Sequence, residues 1–494
     1  MFEVADLKNK VTKLEYEAEI SLIREQLLDV QQKLETAAIP VLILIAGVDS
    51  SGKGDLIAKL NEWFDPRFMS THAFGYVSDE ERERPNHWRY WMSLPPRGRI
   101  ANYAMGWYGQ VLSDRLNGRI GKGKLEKELS HINKLEKELT DDGALIIKFW
   151  LHLSKEQQRK LVAKLEKNPE TCWRVTNAEK RHLKLYDKFV CICEQVIRYT
   201  STPESPWLII NGLDSNYRRL TSAKHIIERI SLHLELHQNI TSIPISAGES
   251  IANVKSGVSL LSSLDLTKKL EKSDYQEKLA LYQGKISQFS HKARQSKKST
   301  LLLFEGWDAA GKGGVIRRIT HAMDARNYRV IPIAAPTDEE KARHYLWRFW
   351  RHLPRDGKVT IYDRSWYGRV LVERVEGFAT TAQWMRAYSE INDFEEELTE
   401  HGIILLKFWM HIDRDEQLRR FKIREDTAYK RYKITTEDFR NREKWELYES
   451  AVNEMITRTS TEYAPWNLVE ANDKYFARIK VLSELCKAYA KGLG

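Results

Sequence analysis

Cysteine is scarce in this chain: 494 residues contain four, Cys172, Cys191, Cys193 and Cys486. So few thiols over such a length exclude a disulfide framework and fit a reducing cytoplasm. Cys191 and Cys193 have no second pair to complete a metal site, so both are expected as buried helix residues. Also missing is any run of roughly 20 uninterrupted apolar residues, which excludes a helical membrane span. The opening Met1-Phe-Glu-Val-Ala-Asp-Leu shows no basic segment followed by an apolar core. No secretory leader is therefore expected, and the expected location is cytoplasmic.

What the chain does have is ordinary globular material and a modest cationic surplus. Hydrophobic residues make up 42% and charged residues 30%, as in a folded soluble protein. The length exceeds what one core serves, so two domains are expected. Lys and Arg number 79 against 69 Asp and Glu, a formal charge of +10. That surplus favours an anionic partner, whether nucleotide, nucleic acid or another polyphosphate, without choosing among them.

The stretch around which the chain is organised begins at Leu301-Leu-Leu-Phe-Glu and continues Gly306-Trp-Asp308-Ala-Ala-Gly311-Lys312-Gly313-Gly314. It reads as a short buried strand, a glycine loop and a helix start, so backbone N–H groups converge where a phosphate would sit. The spacing fits a Walker A loop, except that Gly313 stands where a Ser or Thr hydroxyl would meet a metal ion. A metal ligand must then come from elsewhere, and Asp308 is the nearest carboxylate.

The whole arrangement is written twice. Gly47-Val-Asp49-Ser-Ser-Gly52-Lys53-Gly54 repeats the loop, and 306 − 47 = 259. The same offset carries Trp107-Tyr108-Gly109 onto Trp366-Tyr367-Gly368, Lys148-Phe149-Trp150 onto Lys407-Phe408-Trp409, and Pro206-Trp207 onto Pro465-Trp466. One domain is therefore duplicated in tandem. Residues 1–238 form the first copy, the small and polar residues 239–263 the linker, and residues 264–494 the second copy. Each copy opens with an amphipathic helix, expected over 7–34 and 266–289. Strands are expected at 40–46 in the first copy and at 300–304, 330–333, 359–362, 403–408 and 467–470 in the second. Helices are expected at 381–398 and 436–458. Strands alternating with helices predict an α/β fold, a parallel sheet flanked by helices, with phosphate ligands at the strands' carboxyl ends.

Duplication supplies an internal control. Asp363 ends an apolar strand where a Walker B carboxylate holds a metal, and Arg364 follows it; the first copy has Ala104 and Met105 there. The fold alone thus does not demand the charged pair. Arg420, Lys422, Arg424, Lys430 and Arg431 form a basic segment opposite Leu161, Ala163, Leu165, Thr171 and Cys172. A charge run is often only a solvated helix face. Its loss together with Asp363 and Arg364 favours a phosphate-gripping lid that closes to exclude water. Gly314 is matched by Asp55, which in the first turn of a helix suits the helix dipole and would also repel a bound phosphate. Asp49, Gly52, Lys53 and Gly54 remain, so anion binding by the first copy stays open. Asp79-Glu80-Glu81 with Arg84, matched by Asp338-Glu339-Glu340 with Arg343, reads at least as well as a polar loop with an ion pair as it does as a substrate contact, and Glu373-Arg374, matched by Asp114-Arg115, is compatible with a structural pair or with positioning of Asp363.

The combination of this loop with Tyr362-Asp363-Arg364-Ser365-Trp366-Tyr367-Gly368, Lys407-Phe408-Trp409 and Ala464-Pro465-Trp466 resembles the polyphosphate kinase 2 family. The tandem form resembles its two-domain branch, which moves the terminal phosphoryl of inorganic polyphosphate to AMP and yields ADP. The resemblance implies a thymidylate-kinase-like P-loop domain with a helical lid, in duplicate, and Mg²⁺ as cofactor. It implies that Lys312 and the amides of Gly306, Gly311, Gly313 and Gly314 hold phosphates. It gives Asp308 and Asp363 to the metal, and Arg364 and Arg424 to the migrating phosphoryl. The second copy is then the catalytic one. Transfer to ADP, an ATP-dependent small-molecule kinase and a non-enzymatic polyphosphate-binding scaffold are the rivals. Polyphosphate and AMP or ADP are the expected partners, with no membrane and no nucleic acid, and a homo-oligomer is compatible with the sequence.

Overall fold

The structure is a computed structural model, and it describes residues 1–3, 9–242, 260–427 and 436–494. The chain divides into two compact units, each built on a five-stranded sheet.

In the first unit β1 (Val41–Gly47), β2 (Met69–Ala73), β3 (Ile100–Ala104), β4 (Leu145–His152) and β5 (Trp207–Asn211) lie in the order β2-β3-β1-β4-β5. In the second, β6 (Thr300–Gly306), β7 (Tyr328–Pro332), β8 (Val359–Asp363), β9 (Ile404–His411) and β10 (Trp466–Glu470) repeat it as β7-β8-β6-β9-β10. Every strand pair is parallel. The α/β tandem duplication expected from the repeat is thus present. All seven residues of β1 and six of seven in β6 are buried, because helices cover both faces of a parallel sheet and leave no polar alternation.

The strands run further than the apolar runs suggest, since β9 ends at His411 and β6 at Gly306. The opening helices run later than their apolar spacing predicts, over Lys13–Ala37 and Lys272–Gln295. In the first, Thr12 fixes the start by accepting from the Glu15 amide while the Glu15 carboxylate reaches back, a reciprocal cap that satisfies two orphan donors. The single helix expected over 436–458 is broken at Lys444 into Thr436–Glu443 and Trp445–Thr459. The break lets Arg440 and Lys444 both reach the Glu376 carboxylate, at 3.2 and 3.0 Å. Of the two neighbouring thiols, Cys193 is buried but Cys191 is exposed, because the helix Tyr186–Thr200 turns alternate positions away from its buried face.

The units do not follow the repeat as two unbroken blocks. Residues 78–88 belong to the second unit and 338–344 to the first. Within the second unit Arg84 donates to the Leu353 carbonyl and pairs with Glu80. Within the first, Arg343 donates to the Leu94 carbonyl. The expected linker lies partly outside the described residues, the helix from Ser215 continuing to Ser242.

The shared aromatic motifs serve the fold. Lys407 and Glu395, both fully buried, pair at 2.7 Å, and Lys407 also donates to Tyr367 Oη and the Thr459 carbonyl. Trp366 Nε1 and Tyr367 Oη donate to Glu395. The first unit repeats this with Lys148, Glu136, Trp107, Tyr108 and Thr200. A buried charge pair is tolerable only when its remaining donors and acceptors are met, as they are here. Among the described residues no helix is long and apolar enough to cross a membrane.

Candidate functional site

At the carboxyl end of β6 the chain must pass close to β9. A Cβ on Gly306 would stand 2.4 Å from the Met410 carbonyl oxygen, and φ there is +147°; only glycine fits. The loop then turns through Ala309, at φ 64°, and Gly311, at φ 110°, and Gly311 caps the helix Lys312–His321. Two side chains of the helix Arg414–Asp426 brace the loop. Gln417 donates to the Asp308 carbonyl. Arg420 donates to the carbonyls of Ala309 and Ala310, and to those of Ala471 and Asn472 beyond β10.

Lys312 Nζ folds back onto the Gly306 carbonyl at 2.6 Å, which keeps an ammonium at the mouth of the loop. Asp308 accepts from Arg364 Nη2 at 3.2 Å and from Asn441 Nδ2 at 3.0 Å. Burial raises the Asp308 pKa, but Lys312, Arg364 and the Asn441 hydrogen bond outweigh it and hold the carboxyl below its ordinary range. Asp363 ends β8 in register with Phe304. Arg364 follows at φ 66°, an uncommon conformation for a side-chain-bearing residue. Three carboxylates act on its guanidinium: Asp308, Glu305 and Asp363.

Glu305 is an addition that the motif reading missed. It is buried and accepts from Ser365 Oγ at 2.7 Å, and burial pushes its pKa up despite Lys312 and Arg364 nearby. The repeat did hold the signal, since Glu305 is matched by Ala46 and Ser365 by Gly106. Asn441 was likewise detectable, as the counterpart of His182.

The basic segment divides. Arg420 is buried, and all five of its N–H groups are committed to protein acceptors, the fifth to Glu416. It is a brace for the loop, where the sequence suggested a phosphate-gripping cation. Lys422 lies on the exposed side of its helix. Arg424, one turn beyond Arg420, lines a cavity of about 200 Å³ together with Gly311 and Gly314. Lys430 and Arg431 lie outside the described residues. Glu373 pairs with Arg369, and Arg374 with Glu454 and Tyr388, so of the two sequence readings of Glu373-Arg374 the direct ion pair does not form.

The first unit keeps the backbone and loses the charge. Ser50 and Met105 have φ values of 61° and 63°, matching Ala309 and Arg364. Lys53 Nζ again folds onto the loop, donating to the Gly47 and Val48 carbonyls. His182 takes Asn441's place at 2.6 Å from Asp49. Leu161 replaces the brace Arg420, and an arginine from another helix substitutes for it. Arg218 packs its guanidinium against Gly52 and donates to the Gly212 carbonyl, the counterpart of Ala471. Asp55 pairs with both Arg218 and Arg219. Its carboxylate is therefore neutralised within the protein.

Asp308 and Asp363 suit a hard divalent cation better than a soft one. The set offers carboxylate oxygen without histidine or thiolate, and the Asp363 carboxylate accepts no hydrogen bond from a described residue.

A family model for polyphosphate kinase 2 matches residues 10–238 and 269–492. The chain is 48% identical over 483 residues to a polyphosphate:AMP phosphotransferase of Pseudomonas aeruginosa, covering 98% of this chain and 97% of that one. It is 46% identical to a polyphosphate:AMP phosphotransferase of Pseudomonas syringae pv. tomato, covering 99% and 98%. A crystal structure of a Pseudomonas aeruginosa protein assigned as polyphosphate kinase 2 superposes with a TM-score of 0.89 at 46% identity, covering 100% of this chain and 99% of that one. Sequence, fold and repeat agree: the chain belongs to the polyphosphate kinase 2 family and carries its domain twice.

Proposed function

We propose that the second unit transfers the terminal phosphoryl group of inorganic polyphosphate to AMP, giving ADP. The observation that carries this reading is the convergence of Asp308, Lys312, Asp363 and Arg364 at the carboxyl ends of β6 and β8, where the first unit has Ala104 and Met105. The full-length relatives named as polyphosphate:AMP phosphotransferases support the choice of donor and acceptor.

Phosphoryl transfer asks a protein mainly for position and charge neutralisation. Amides of Gly311, Lys312 and Gly313 point toward the donor's terminal phosphates from the helix start, whereas the Gly314 amide, expected from the sequence to join them, donates to the Gly311 carbonyl at 2.9 Å. Lys312, released from the Gly306 carbonyl, neutralises the bridging and terminal oxygens. Arg364, held toward the loop by Asp308, offers two N–H groups to the equatorial oxygens of the migrating group. Arg424 adds charge from the helix Arg414–Asp426, beside Gly311 and Gly314. Asp308 and Asp363 would hold Mg²⁺, which when bound neutralises phosphate charge. No side-chain nucleophile is required, because the AMP phosphate attacks directly.

Incubation with AMP, Mg²⁺ and polyphosphate should yield ADP, whereas ATP in place of polyphosphate should yield far less. ADP formation from ATP alone would assign the site to an ATP-dependent kinase instead.

A further inference from the structure

Between β2 and β3 the first copy carries a short helix, Asp79–Arg82, capped by Ser78, and continues through Glu83, Arg84, His87 and Trp88. These residues, 78–88, lie in the second unit. There Arg84, 7% exposed, donates through Nε to the Leu353 carbonyl at 3.2 Å, and its guanidinium stacks on the Trp88 ring. Trp88 Nε1 donates to the Trp350 carbonyl at 2.9 Å. His87 meets Glu397 twice, its amide donating to Oε1 at 3.2 Å and its ring nitrogen Nδ1 lying 3.1 Å from Oε2. Glu83 pairs with Arg355.

The repeat supplies an independent observation. Arg343 and Leu94 are the counterparts of Arg84 and Leu353 at the repeat offset. Residues 338–344 of the second copy lie in the first unit, where Arg343 donates through Nε to the Leu94 carbonyl at 3.3 Å. The Arg97 amide donates there to the Ala342 carbonyl at 2.7 Å. One arginine–carbonyl bond is thus made twice, each time between residues from different copies. This is the pattern of an exchanged segment, in which an identical element is traded between two like bodies.

The contacts of residues 78–88 lead toward the site. Glu397 sits on the helix Thr381–Glu400, which also carries Glu395, the acceptor for Trp366 and Tyr367. Phe394 of the same helix packs with its ring 4.9 Å from that of Trp350 and 5.0 Å from that of Trp366. Trp366 follows Arg364 by two residues at the end of β8.

We propose that residues 78–88 of the first copy are a built-in part of the second unit, holding Trp350 and the helix Thr381–Glu400 in place behind Arg364. The inference rests on the function proposed above, which puts the reaction in the second unit. It adds Arg84, His87 and Trp88 as positioning residues from outside the second copy. They act through the helix and Trp366, not on the substrate. Without the segment the Leu353 and Trp350 carbonyls lose these donors, and a buried polar group stripped of its partner is costly. A first copy that has shed its own charged site is still required, because the second unit takes this piece from it.

The test uses the full chain with AMP, Mg²⁺ and polyphosphate, read by steady-state kinetics and by hydrogen exchange in peptides from 345–358 and 89–100. Arg84→Ala and His87→Ala should each lower kcat about tenfold, since a small misplacement of reacting groups suffices for that. Both KM values should stay within about threefold. Arg84→Ala should speed exchange in 345–358 and leave 89–100 unchanged, whereas Arg343→Ala should do the reverse. Arg84→Lys, which keeps a donor, should restore most of kcat. Trp88→Phe removes one N–H and keeps an aromatic ring; it should also speed exchange in 345–358, and it decides the matter if Arg84→Ala does not fold. Faster exchange in 89–100 instead of 345–358 overturns the exchanged segment, and unchanged kcat in both Arg84→Ala and His87→Ala overturns the positioning role. Wild-type protein that makes no ADP from polyphosphate overturns the proposed reaction, while the exchange pattern still decides where the segment packs.

Discussion

The two units place nearly the same backbone around different chemistry. Met105 and Arg364 share a strained φ near 65°, as do Ser50 and Ala309, so this strain belongs to the fold rather than to catalysis. The buried Lys148–Glu136 and Lys407–Glu395 networks are likewise common property. What differs is a small set of side chains at the loop: Glu305, Gly314, Asp363, Arg364 and Arg424 against Ala46, Asp55, Ala104, Met105 and Leu165. The second unit leaves charges facing open space. The first satisfies its remaining charges internally, Asp49 with His182 and Asp55 with Arg218 and Arg219.

The largest expected effect separates the two loop lysines. Lys312→Ala should lower polyphosphate-dependent ADP formation by at least about a thousandfold, whereas Lys53→Ala should retain most of it. Equal losses would break the comparison. Next, Arg364→Met and Asp363→Ala, which write the first unit's residues into the second, should each cost about a hundredfold in kcat with the fold intact. Glu136→Ala and Glu395→Ala should behave alike in thermal unfolding, each costing about 3–5 kcal/mol by stranding a buried lysine. An effect at only one would show that the shared network is not shared in function.

The smallest effect concerns pH. The hydrogen bond to Asp49 raises the His182 pKa, so the pair stabilises the first unit fully below the usual imidazole value of about 6.5. That contribution is lost as pH rises through the raised value. His182→Asn, which imports the second unit's residue, should remove this slope from the melting temperature and leave the slope of activity unchanged. The difference should be modest, because His182 and Asp49 are 39% and 30% exposed.

Much of this was readable from the chain before any coordinates. Repetition at a fixed offset disclosed the duplication, and the fate of Asp363 and Arg364 at that offset pointed to the second unit. Arg420 was misread because a one-dimensional charge run cannot say which cations face the loop backbone; helical geometry puts residues 417, 420 and 424 on one side and 422 on another. Glu305 was passed over because a carboxylate inside an apolar strand looks like noise until Ser365 is seen to hold it.

The order of apolar runs, glycines and helical spacing by itself determined the parallel sheet and the glycine loop at the carboxyl end of its central strand, since these depend on local periodicity and short-range steric rules. Only the folded chain decided which arginine braces the loop, which cations line the cavity, and how the first unit quenches its own charges. Those outcomes depend on contacts such as Arg420 with Ala471 and Asp55 with Arg219, between residues far apart in the chain. Their partners are chosen by packing, which no local pattern records.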